Sequence, residues 1–118
     1  MKASELCITA KRAGLSEFGE IRYRTRKGDW RYNVGLYVDG VWSFDCLGFV
    51  HCMVNGFCGN KEQLGGGAVM DEFVTNCTEA QTLYNYCYNQ SYNFNNIVAG
   101  ELLYMDGHVG LYIGDCEP

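Results

Sequence analysis

The chain is poor in proline, in histidine and, past its first quarter, in basic charge. Its single proline is the terminal Pro118, so no Pro-rich linker or polyproline segment interrupts it. Only two histidines are present, and no C-x-x-C pair, which argues against a zinc site; no metal or cofactor is expected. No run approaches the ~18 consecutive apolar residues that would read as a bilayer-crossing helix. The opening residues, Met1-Lys2-Ala3-Ser4-Glu5, lack the apolar stretch of a secretory signal, so synthesis in the cytoplasm is expected. Basic residues nearly vanish after Arg31. Residues 1–31 hold eight basic and four acidic side chains, a net of +4. Residues 32–118 hold Lys61 against ten acidic side chains, a net of −9. The total of −5 argues against a general nucleic-acid binder, whose binding face must be basic. The stretch from Arg22 to Arg31 reads as a solvated basic face.

What is present suits one globular domain over residues 1–118. Hydrophobic residues make up 47%, enough for a real core and too many for a disordered chain. Seven cysteines (Cys7, Cys46, Cys52, Cys58, Cys77, Cys87 and Cys116) are many for 118 residues, and an odd number leaves at least one thiol unpaired. Most read as small buried apolar side chains in a reducing compartment.

Local signals give an α+β order, with helices first, packed on a small antiparallel sheet that comes last. Ser4 is a candidate N-cap for a helix running to about Phe18, with Leu6, Ala10, Ala13 and Leu15 at helical spacing. Tyr32 to Val38 alternates, Asp39-Gly40 is a hairpin turn signal, and Val41-Trp42 follows. Asp45-Cys46 opens a helix from Leu47 to about Asn55, closed by Gly56, with Leu47, Val50, Val54 and Phe57 as its buried stripe. Gly65-Gly66-Gly67 reads as a flexible loop. Residues from Met70 to about Tyr88 read as one or two helices, with Phe73, Val74, Leu83 and Tyr84 inward. Gln90 to Asn96 reads as a loop. Leu102–Met105 and His108–Ile113 read as strands joined by Asp106-Gly107, with Val109, Leu111 and Ile113 on one side.

Two features carry chemistry. A cysteine in the first turn of a helix lies near unpaired peptide N–H groups and the positive end of the macrodipole, which favours the nucleophilic thiolate. Cys46 has that position, with Asp45 as N-cap. A histidine beside the sulfur takes its proton and later protonates the leaving amine; His108, on a strand, is the candidate. His51 lies five residues past Cys46, about 140° around the helix, and is expected to serve packing or the surface. The plain alternatives are a buried Cys46 and an ordinary turn residue at His108.

The residues also resemble a known family. Phe44-Asp45-Cys46-Leu47-Gly48-Phe49-Val50 resembles the nucleophile motif of the NlpC family, papain-like cysteine peptidases of bacterial cell walls. Gly100-Glu101-Leu102-Leu103-Tyr104 with Gly107-His108-Val109-Gly110-Leu111-Tyr112-Ile113-Gly114 resembles its histidine block. Trp30-Arg31-Tyr32 takes the place of the aromatic segment before the nucleophile. CHAP amidases share the same order. The resemblance implies a papain-like fold, Cys46 as nucleophile, His108 as base and then acid, and Tyr32 as second oxyanion donor beside the Cys46 N–H. The implied substrate is the peptidoglycan stem peptide, with water as final acceptor. The implied setting is a phage lysin, or a domain of a larger exported protein. Leu47 stands where the family has serine and Glu101 where it has aspartate. The family's third polar residue, which orients the histidine, would fall beyond Pro118. A sheet lacking that outer strand would have an open edge, so an oligomer or a complementing segment is expected. Two other functions share the fold: a catalytically silent wall-binding module, and an acyltransferase using the same Cys–His pair.

Overall fold

The computed structural model describes residues 3–24, 34–70, 79–85, 87, 90, 95 and 97–114. Over these it is a small α+β domain. The order is α1 (Ala3–Gly14), β1 (Ile21–Tyr23), β2 (Val34–Val38), β3 (Val41–Phe44), α2 (Cys46–Val54), a 3-10 turn (Leu64–Gly67), α3 (Ala80–Asn85), β4 (Leu102–Met105) and β5 (His108–Leu111).

The first helix stops at Gly14, short of the expected Phe18. Glycine is a weak helix former, and the chain ties off there in a Schellman arrangement. Ser16 takes the left-handed conformation (φ 62°), its N–H donates to the Ala13 carbonyl, and the Glu17 N–H donates to that of Arg12. The polar tract that follows contains an element with no local signal. Glu20 to Arg24 runs beside β3 as a parallel strand, with Tyr23 opposite Phe44. Asp39-Gly40 turns as its residues require: φ is 57° at Asp39 and 80° at Gly40, the pair of positive values that suits the twist of a two-residue hairpin.

The described strands form two sheets and not the single antiparallel one expected. β1-β3-β2 is a mixed sheet and β4-β5 a separate antiparallel pair. Nor do the helices all precede the strands, since three strands come before α2.

Helix α2 joins the two sheets. A larger apolar cluster contains Ala10, Ala13, Val34, Trp42, Phe44, Cys52, Met53, Phe57 and Ala68. Trp42 is fully buried there and its indole N–H donates to the Phe18 carbonyl at 3.0 Å, so the polar atom is satisfied. A smaller cluster contains Leu47, Val50, Ala80, Leu83 and Val109. Because α2 has packing on two sides, it buries Leu47, Gly48, Val50, His51, Cys52 and Met53, a band wider than one stripe. Val54, expected inward, is exposed at the last turn. Asn55 caps the helix and Gly56 (φ 104°) redirects the chain.

The glycine triplet is a defined turn, with Gly65 and Gly66 buried. Gly35 shows why backbone comes so close here. Its φ is 86°, and a Cβ would lie 3.0 Å from the Cys52 sulfur, 3.0 Å from the Phe44 ring and 3.1 Å from the Gly65 Cα. Leu83 is buried, as expected, while Phe73 and Val74 lie outside the described residues. Most of the Gln90–Asn96 loop lies outside them too.

Candidate active site

Asp45 ends β3's run into α2 with an extended backbone (φ −95°, ψ 179°). Its carboxylate accepts the Gly48 N–H at 2.6 Å, and its carbonyl accepts the first intrahelical bond from Phe49 at 2.9 Å. The N-cap expectation is therefore met. The bond is charge-assisted and buried, which fixes the start of α2 firmly. Cys46 follows as the first helical residue and is half-buried. The peptide N–H groups of Cys46 and Leu47 precede the first intrahelical donor and are left for other acceptors.

His108 is the first residue of β5, paired across the turn with Met105. Gly107 takes φ 76° to make that turn. Val109 beside it is buried in the smaller cluster, to which Cys46 also packs. Thus the same few apolar contacts hold the sulfur and the start of the histidine strand. Cys46 and His108 border one cavity of about 230 Å³, with Ile21, Arg22, Tyr23, Phe44, Asp45, Phe49, Val50, Val109 and Gly110. It is smaller than the ~300 Å³ and upward of drug-sized sites.

Tyr23 is the residue that sequence reasoning missed. Its side chain borders the cavity together with Cys46. Its phenol is pushed above the ordinary value of 10.0, first by burial and then by the negative charge of Cys46 and Asp45. The phenol thus stays a donor at neutral pH. Tyr32, expected in the neighbouring role, lies outside the described residues, as do residues 25–31 of the basic stretch. Only a long-range parallel pairing brings Tyr23 to the sulfur, and no local pattern announces such a pairing.

Arg22 lies on the rim of the cavity, 3.2 Å from Glu20 in an exposed ion pair. His51 is buried in α2 and does not border the cavity, so its place is in packing. Cys7 and Cys52 are fully buried, Cys58 is exposed, and no disulfide joins two of the five described cysteines. Cys77 and Cys116 lie outside the described residues. Among the described residues no group of three His, Cys, Asp or Glu side chains is placed to hold a metal ion. No described residue hydrogen-bonds the His108 ring, and the orienting group implied by the resemblance falls outside the described residues. No helix among the described residues is long and apolar enough to cross a membrane. No family model, curated protein or solved structure matches the chain.

Proposed function

We propose that the chain is a cysteine hydrolase of the NlpC type, with the papain-like fold, acting on an amide bond of the peptidoglycan stem peptide. The observation that carries the reading is the convergence of Cys46, His108 and Tyr23 on one cavity. In this reading His108 takes the thiol proton and the Cys46 sulfur attacks the scissile carbonyl, forming a C–S bond. The resulting oxyanion accepts hydrogen bonds from the Cys46 N–H and from the Tyr23 hydroxyl, which takes the part first given to Tyr32. His108 then returns its proton to the departing amine as the C–N bond breaks. Water, deprotonated by His108, attacks the thioester, and the thiol leaves with the proton. No metal or cofactor enters.

The substrate is supported by the two sequence motifs, and the setting is release at lysis or export as part of a larger protein. The test is digestion of purified peptidoglycan, read by mass spectrometry, with Cys46→Ala alongside. Released stem fragments that disappear with the variant support the reading and name the bond. Intact peptidoglycan with both proteins overturns it. That no described residue hydrogen-bonds the His108 ring favours one second reading, a wall-binding module of the same fold without turnover. That module would sediment with peptidoglycan and release nothing.

A further inference from the structure

The parallel pairing of β1 has a definite phase. The Trp42 N–H donates to the Glu20 carbonyl and the Arg24 N–H to the Phe44 carbonyl, both at 2.8 Å. Along a strand, the N–H and C=O of one residue point to the same side, and successive residues alternate. Glu20, Arg22 and Arg24 therefore face β3, while the N–H and C=O of Ile21 and Tyr23 face away from it. β1 is the outer strand of its sheet, and no described residue's backbone pairs with that side.

The cavity touches Ile21, Arg22 and Tyr23 in succession. A void above one face of a strand would meet alternate residues. One that meets three successive residues runs alongside the strand, and β3 already occupies the other side. The open edge of β1 therefore borders the cavity. The same cavity also meets His108, Val109 and Gly110, again successive residues, and Cys46.

We propose that this edge is a substrate-backbone subsite, on which the acyl half of the substrate lies extended as an added strand. The inference rests on the hydrolase reading above. His108 must protonate the departing amine, so the amine half lies toward β5 and the acyl half toward β1. One α-linked residue in the extended conformation closes a pair of main-chain hydrogen bonds with Tyr23, and the alanine that heads a stem peptide supplies it. Arg22, on the same rim, faces the carboxylate of the following glutamyl residue. Main-chain bonds give affinity in this mode and neighbouring side chains give selectivity.

The test uses isotope-labelled Cys46→Ala protein titrated with N-acetyl-L-alanyl-γ-D-glutamyl-L-lysine, and with its analogue methylated on the alanine nitrogen. The expected result is slowed exchange of the Tyr23 amide, with Arg22 and Arg24 unchanged because β3 already holds them. Methylation removes one bond and should weaken binding about tenfold. Binding that moves Cys46 and His108 but leaves the Tyr23 amide unchanged overturns the subsite and leaves the hydrolase reading standing. No binding, together with peptidoglycan left intact by the wild-type protein, overturns both.

Discussion

At the residue scale, the proposed hydrolysis rests on four side chains. Cys46→Ala should abolish amide hydrolysis while leaving the melting temperature within a degree or so, since a half-buried thiol contributes little to the core. His108→Gln should lower kcat by roughly 10²–10⁴, the usual weight of a general base. Tyr23→Phe keeps the ring and removes the donor. Steady-state kinetics should show kcat down by about 10²-fold, near the lower bound for loss of an oxyanion donor, with KM little changed. An unchanged kcat would leave Tyr23 a packing residue. The same variant has a pH signature. The folded state raises the Tyr23 pKa, so the protonated phenol is the form that the fold favours. Its contribution is complete below the ordinary value of 10.0 and is lost as pH rises through the folded value. Denaturant melts above pH 10.0 should therefore fall less steeply for Tyr23→Phe than for the wild type. Asp45→Ala removes a buried N-cap bond and should cost about 0.5–2 kcal/mol in the same melts.

At the element scale, the sequence was legible wherever one residue dictates its own backbone. Asp39-Gly40 is readable because few other pairs accept two positive φ values, and Asp45 because an N-cap acts on residues three positions away. The strands flanking Asp106-Gly107 are readable because Gly107 alone takes a positive φ there, although β5 ends at Leu111 and not at Ile113. What depends on distant partners was not. β1 is three residues long, polar at Arg22 and exposed at Tyr23; only its pairing with β3 makes it a strand. Val54 was misplaced because a single stripe was assumed, whereas α2 lies between two sheets and its band of contacts ends one residue earlier. Cys46 and His108 could be paired by resemblance, yet Tyr23 could not be separated from Tyr32 without the ladder. The close approach of β2 to the glycine turn was equally silent. Gly35→Ala should cost about 1–3 kcal/mol by thermal melting, since its Cβ meets sulfur, ring and backbone at once in a left-handed conformation. A neutral effect would mean that the turn yields easily.

At the scale of the whole molecule, the charge asymmetry and the site coincide. The strongly basic first quarter of the chain contributes β1, and Arg22 brings that charge to the cavity rim. Acidic peptides should therefore be turned over faster than their amidated counterparts, with the difference shrinking as salt is raised, because exposed charges are screened. The two apolar clusters have a separate consequence. Among the described residues, nine buried side chains anchor the sheet that bears Tyr23 and five secure the region where Cys46 meets Val109. Leu111 and Ile113 pack the far end of β5 against the larger group, Val109 packs in the smaller one, and His108 at the near end is exposed. Warming should release that end first, since local opening is cheapest where least apolar surface is buried. Heat inactivation would then precede melting: turnover fades and returns on cooling, while the emission of Trp42, deep in the larger cluster, still reports an intact fold.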